Sequence, residues 1–259
     1  MKIIFLRHAD TRATEQGLIQ GSSNHWDLNA ATTKGLYKVQ DSARKIAEMI
    51  AGTPKEHVFV YSATQGRCRS TTGVLETVLK PKKLIDSGSI VYDERLNGRG
   101  YGDLEGKKES KVKSPSYLLV HPVQLMSFVA SQIGYENMAK IEPENKYAER
   151  IGDALADIFM LHNNDKDVVI ISSTSDMFNA MQKNKELHML CYFGYENPPF
   201  VEGKKTKREK IEPGEVKTFE LDAPRYSETD GRWIPVWETK AIRDYMMREG
   251  MITGKENYF

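Results

Sequence analysis

The chain has 259 residues, 39% hydrophobic, 28% charged and 9% aromatic, an ordinary globular composition that excludes disordered, collagen-like and low-complexity classes. Lys and Arg number 37 against 36 Asp and Glu, a formal charge of +1, so no global field draws nucleic acid or an anionic membrane, and any anion specificity must be local. Cys68 and Cys191 make neither a disulfide framework nor a CxxC pair, and the apolar stretch before Arg7 is too short for a signal-peptide core or a spanning helix; a reducing, cytoplasmic setting is expected.

Lys2 to Leu6 is a β-branched and aromatic run that stops at Arg7-His8, the pattern of a buried parallel strand delivering polar residues to the carboxyl edge of a sheet. Leu36, Val39, Ala43, Ile46, Ala47 and Ile50 recur at helical steps and predict a helix over 33–50, with Gly52 and Pro54 as stop signals. A strand is predicted at 58–62, a helix at 66–79 and a short apolar run at 89–96. The stretch 107–146 mixes charge, proline and short helical patterns and is expected to be an inserted cap or lid. An amphipathic helix at 147–162 leads into a strand at 168–173. It is followed by a helical pattern at 176–193, a late or edge strand at 216–221 and a terminal helix at 238–252.

Alternating strands and helices imply an α/β fold: a three-layer sandwich with a mostly parallel central sheet and helices on both faces. One domain over 1–259 is expected, with 107–146 as the cap and 222–259 as a C-terminal extension. Ligands of open α/β sheets bind at the carboxyl ends of strands. The segment Arg7-His8-Ala9-Asp10-Thr11 and the segment from Ser62 to Thr72 are therefore expected to meet across one crevice. A neutral His8 there would attack phosphorus while Arg7 and Arg67 bind the non-bridging oxygens, a phosphoryl transfer that uses no metal or other cofactor.

These segments resemble the histidine phosphatase superfamily, the phosphoglycerate-mutase-like fold. That family opens with a strand ending in Arg-His-Gly, here Arg7-His8-Ala9, and continues with a Gln-Gly pair, here Gln20-Gly21. Its next block is Ser, four residues, then Arg, here Ser62 to Arg67 with Thr71 behind, and a mutase-like block resembles Arg95 to Lys107. The resemblance runs in family order over roughly residues 1–220. It implies His8 as nucleophile and Arg7 and Arg67 as phosphoryl ligands, with Ser22, Ser23 and Tyr101 available to the rest of the substrate.

The pattern also breaks. Ser173 occupies the place of the family's second histidine, Gly98 that of the acidic residue that protonates the leaving oxygen, and Thr14 that of a phosphate-contacting Asn. Glu109 stands where the mutases carry a substrate-binding Lys, which argues against the glycolytic reaction. Asp176 is a candidate replacement acid, because sliding the alignment places Ser175 at the histidine and Asp176 at an Asp of the acid-phosphatase branch; Glu94, Asp103 and Glu105 are further candidates. His25 lies in the motif loop as a substitute imidazole, whereas His57, His121, His162 and His188 share no spacing and read as surface or core histidines. Ser173 and Asp176 also fit an ordinary helix N-cap, and the run 203–210 a solvated loop.

The expected function is phosphatase-type transfer from a phosphorylated small molecule through His8. The alternatives are a phospho-ligand sensor in a degenerate fold, or different chemistry on a phosphorylated substrate. The expected partner is that small molecule, with a homodimer as the assembly to consider and neither nucleic acid nor membrane.

Overall fold

Side chains along β1 (Lys2–Arg7) alternate across a sheet, Ile3 and Phe5 on one face and Ile4 and Leu6 on the other, and all four are fully buried. A strand buried on both faces needs a layer on each side. In the computed structural model, which describes residues 1–86, 88–112, 141–162, 166–178, 210–220, 225–227 and 232–234, both layers are present. α3 (Thr33–Met49) and α4 (Gly66–Leu79) cover one face through Val39, Ala43, Ile46, Leu75 and Leu79. α6 (Glu144–Leu161) covers the other through Ile151, Ala154, Leu155 and Ile158, packed with Phe5, Ile171 and Phe178. Three short helices complete the order: α1 (Arg12–Glu15), α2 (Trp26–Asn29) and α5 (Glu109–Val112).

The sheet runs β3-β2-β4-β1-β5, with β2 at Val58–Ser62, β3 at Ile90–Tyr92, β4 at Val168–Ser173 and β5 at Val216–Glu220. The first four are parallel and β5 lies antiparallel on β1 at the edge. β6 (Arg225–Ser227) and β7 (Arg232–Ile234) pair with each other as a separate antiparallel ribbon. No helix among the described residues is long and apolar enough to cross a membrane.

The predicted strands at 58–62 and 168–173 and the helix at 66–79 have the expected bounds. Helix α3 begins where Thr32 accepts a hydrogen bond from Gly35 N at 3.1 Å, and it starts tight against the loop after β1. A side chain at Gly35 would place its Cβ 2.6 Å from Asp10 O. Two elements differ from expectation. The run at 89–96 is a strand only to Tyr92, because the Asp93 carboxylate accepts Arg95 N at 2.8 Å and turns the chain into a 3-10 turn over Glu94–Leu96. Helix α6 starts at Glu144, three residues earlier than expected, directly after Pro143, whose fixed φ suits a helix entrance. Residues 175–178 are helical. The rest of the 176–193 pattern, the terminal helix, the run 203–209, His121, His188, Cys191 and residues 113–140 of the expected cap lie outside the described residues.

His162, after α6, is stacked on Phe59 with ring centroids 3.8 Å apart and bonds to Tyr61 OH through Nε2 at 2.6 Å. Burial holds its pKa below 6.5, outweighing the opposing pull of Asp167, and burial raises that of Tyr61. The neutral phenol therefore donates to a neutral imidazole. An unfolded chain would take up this proton near pH 6.5 while the folded chain resists it, so stability present above pH 6.5 is lost as pH falls below it. Calorimetric Tm should decline from about pH 7 to about pH 5, and His162→Gln should flatten part of that decline.

Candidate active site

Because β2, β4 and β1 are adjacent and parallel, their ends meet at one edge: Arg7 is level with Ser173, and Ser62 with Ser172. The two motif loops converge there. His8 continues β1 by one residue, donating its backbone N–H to Ser173 O at 3.0 Å, and is only 2% exposed. Its Nδ1 lies 2.8 Å from Ala9 O. A carbonyl only accepts, so Nδ1 carries the proton and Nε2 keeps its lone pair. Burial above all, then the charges of Arg67 and Arg7, push the imidazole pKa well below its ordinary value. His8 is a neutral imidazole held in one tautomer.

Arg67 enters from the first turn of α4 and is 2% exposed. Its Nη1 donates to Asn29 Oδ1 at 3.0 Å and its Nη2 to Gly21 O at 2.6 Å, while its buried Nε has no partner. Thr71 accepts Ala9 N at 2.8 Å and donates to Arg67 O at 2.8 Å, tying α4 to the loop behind His8. Arg7 Nη1 donates to Ile211 O at 2.6 Å and its buried Nε is likewise unpartnered. Gly214, at φ +72°, donates to the carbonyls of both Arg7 and His8. Burial lowers the pKa of both guanidiniums, which nonetheless stay cationic at neutral pH. Asp176 lies near enough for its charge to act on both.

The Gln20–Ser23 loop is built around that cation. Gln20 Nε2 donates to Thr11 Oγ1 at 2.6 Å and to Leu28 O at 2.5 Å, and Thr14 donates to Gln20 Oε1 at 3.4 Å. Thr14 and Gln20 thus brace the loop rather than face His8. Gly21 is at φ +58°, a conformation that favours glycine. Glu105 Oε1 accepts from Ser22 N at 2.8 Å, Ser22 Oγ at 3.2 Å and Tyr101 N at 2.9 Å, so Ser22 and Tyr101 meet on one carboxylate. An open cleft of about 610 Å³ is lined by Arg12, Gln16, Ser23, His25, Asp27 and Glu105, and by none of Arg7, His8 and Arg67. His25 is exposed there, 3.7 Å from Asp27. Glu94 is exposed, and His57 and His162 lie outside the site. Among the described residues no group of three or more His, Cys, Asp or Glu is placed to hold a metal ion.

At the end of β4, Ser173 donates its hydroxyl to Leu96 O at 2.6 Å. The next residue, Thr174, is the one turned toward the loop: a Cβ placed on Gly98 would lie 3.1 Å from Thr174 Cγ2, 3.2 Å from its Oγ1 and 3.1 Å from Gly21 O. Gln65 locks this corner, donating to Gly21 O at 2.8 Å and accepting Gly98 N at 3.0 Å. Asn29, Gln65, Tyr147, Thr174 and the Ile211–Gly214 turn all escaped the sequence reading. Only Gln65, a polar residue inside the Ser62–Thr72 segment, carried a signal.

Fold and edge together define an α/β protein with Arg7, His8 and Arg67 gathered at the carboxyl ends of a parallel sheet. The sequence model of the histidine phosphatase superfamily (branch 1) matches residues 3–181, and the chain belongs to that superfamily. A Schizosaccharomyces pombe protein named as a probable phosphatase is 30% identical over 113 residues, 44% of this chain and 46% of that protein. A fructose-2,6-bisphosphatase TIGAR of Xenopus tropicalis is 27% identical over 111 residues, 43% of this chain and 36% of that protein. The matched region spans less than half the length of each of these curated relatives. Among solved structures, a mycobacterial glucosyl-3-phosphoglycerate phosphatase aligns with TM-score 0.55 at 13% identity, covering 86% of this chain and 97% of that one. A structure named mycobacterial hydrolase 2 aligns with TM-score 0.56 at 14% identity, covering 90% and 87%. At such identities the likeness establishes the fold.

Gly98→Ala should destabilise the fold by about 1–3 kcal/mol, the usual cost of overpacking, because the Gly21 carbonyl cannot swing aside. Thr174→Ser, which removes the methyl at 3.1 Å, should recover part of that loss. Denaturant unfolding of the two single variants and the double variant measures the coupling.

Proposed function

We propose that the chain is a phosphomonoester phosphatase acting through a phosphohistidine at His8. One observation carries this: a buried neutral imidazole whose proton is fixed on Nδ1 stands with the buried Arg67 and half-buried Arg7 guanidiniums, each with a buried, unpartnered Nε–H. The Nε2 lone pair attacks phosphorus, the ester P–O bond breaks, and the electron pair leaves on the alcohol oxygen. Arg7 and Arg67 bind the non-bridging oxygens, where charge-assisted hydrogen bonds count most. Asp176 delivers the proton to the leaving oxygen and later takes one from water, which displaces His8 and releases inorganic phosphate. The two cations supply the charge stabilisation, so the scheme calls for no metal. The rest of the substrate extends past Ser22 and Tyr101 toward the open cleft, which suits a phosphorylated small molecule; the fructose bisphosphatase among the relatives supports that class.

The second reading, a phospho-ligand binder without turnover, is favoured by the corner formed by Gly98 and Thr174, where no acidic side chain or imidazole is present. A third, other chemistry at a retained phosphate pocket, leaves phosphate on the product.

Phosphate release from a panel of phosphomonoesters, with and without divalent cations, separates these readings. The phosphatase is expected to release phosphate without added metal, to lose at least about 10³-fold of its rate on His8→Ala, and to trap an acid-labile, alkali-stable phosphoprotein in wild type only. Arg67→Lys should cost about 10²–10³-fold. Phosphate-dependent thermal stabilisation with no release would establish the binder, and substrate consumed with its phosphate retained would establish the third reading.

A further inference from the structure

Among the described residues, five buried side-chain atoms lack a hydrogen-bond partner: Arg7 Nε, Arg67 Nε, Ser172 Oγ, Thr174 Oγ1 and Tyr147 OH. Such atoms are rare in native interiors because each keeps the cost of desolvation without a compensating bond. Four belong to the carboxyl edge already described: Arg7 ends β1, Ser172 and Thr174 bracket the end of β4, and Arg67 lies in the first turn of α4. The fifth comes from the opposite layer. Tyr147 sits in the first turn of α6, is 4% exposed and packs in the apolar cluster that holds Phe5, Ala63, Leu96 and Phe178.

A phenylalanine would fill that apolar setting without stranding a donor, so the hydroxyl has no structural use there. The ring is held by its neighbours. Arg150 lies 5.1 Å from the centre of the Tyr147 ring. That guanidinium is itself held by Glu142 and by the carbonyls of Arg95 and Asn97, at 2.8 and 3.1 Å. Glu142 Oε2 also accepts Gly100 N at 2.9 Å. The start of α6 is therefore clamped to the 94–100 segment, and the ring with it. Of the charged groups around the phenol, Asp176 acts on it most strongly, followed by Arg150, with Tyr101 and Glu142 beyond, and the phenol in turn acts on Arg67. Asp176 and Arg67 are groups of the His8 site. Burial keeps the phenol protonated well above its ordinary range, so at neutral pH it is only a donor.

We propose that Tyr147 is a phosphoryl-binding residue of this site, its buried O–H donating to a non-bridging oxygen beside the Nε–H groups of Arg7 and Arg67. The assignment rests on reading His8 and the two arginines as the phosphoryl site. It makes α6 a third wall of the pocket, and gives an uncharged hydroxyl part of the task of holding the anion.

The test is Tyr147→Phe in the full chain, with inorganic phosphate and orthovanadate as probes and Arg67→Ala alongside. Removing an unpartnered buried hydroxyl should leave the Tm of the unliganded protein equal or higher, since no native bond is lost. The same change should weaken phosphate and vanadate binding about 10–100-fold, the value of a hydrogen bond to a charged group. If wild type binds both anions, Arg67→Ala weakens them and Tyr147→Phe binds as wild type does, the Tyr147 assignment is wrong and the arginine site stands. A weaker affinity accompanied by a lower unliganded Tm would make Tyr147 structural and overturn it as well. If wild type itself binds neither anion, the phosphoryl site fails and Tyr147 falls with it.

Discussion

The Arg67 guanidinium, buried at 2% exposure and bonded to Asn29 Oδ1 and Gly21 O, is the contact on which the rest of the site depends. Taking a cation out of water costs several kcal/mol and is tolerated only when hydrogen bonds satisfy its donors. One of its nitrogens is satisfied by Asn29 at the end of α2 and another by the Gly21 loop, which has no regular structure of its own and is in turn bonded to α2, α4 and the 98–105 segment. Arg67 and Arg7 also help hold His8 neutral by opposing its protonation. One buried charge thus links the shape of the loop, the protonation state of the imidazole and the attraction for an anion.

Much of this was legible in the sequence because it rests on local periodicity. The alternation of Ile3 to Leu6 and the helical spacing of Leu36 to Ile50 report burial directly, and parallel strands must bring their ends to one edge. Arg7, His8 and Arg67 follow from that topology. Residues contributed by distant elements left no such trace. Tyr147 is one more apolar-face position of an amphipathic helix until its hydroxyl is found without a partner. The turn at Ile211–Gly214 reaches the site only through carbonyl and amide groups, which no side-chain pattern encodes.

One departure from the family pattern, Gly98, meets in space the residue that follows another, Ser173. Thr174 lies where a side chain on Gly98 would have to go, and Gln65 bonds both to the Gly98 amide and to Gly21 O. A small residue at 98 and a branched one at 174 fill one volume between them, so the pair behaves as a single packing unit. Restoring an acidic side chain at 98 alone would meet the Gly21 carbonyl, which is already bonded to Arg67 Nη2 at 2.6 Å. The corner cannot regain that acid without disturbing the cation that defines the site.

Under the proposed function, anion selection has a local origin. With a formal charge of +1 over 259 residues, the molecule offers little long-range steering, and salt screens what there is beyond about 8–10 Å. At this buried edge the dielectric is lower, and the opposing carboxylates are Glu212, Asp176 and Asp10 around Arg7, and Asp176 and Glu105 around Arg67, the last engaged by Ser22 and Tyr101. An anion entering between Arg7 and Arg67 meets donors already fixed in place. Such donors need little reorganisation to meet a phosphate, and in the proposed reaction they would also face the charge that develops on its oxygens as His8 attacks. In that proposal the placement of the arginines, rather than their number, is what lets a nearly neutral protein hold a dianion.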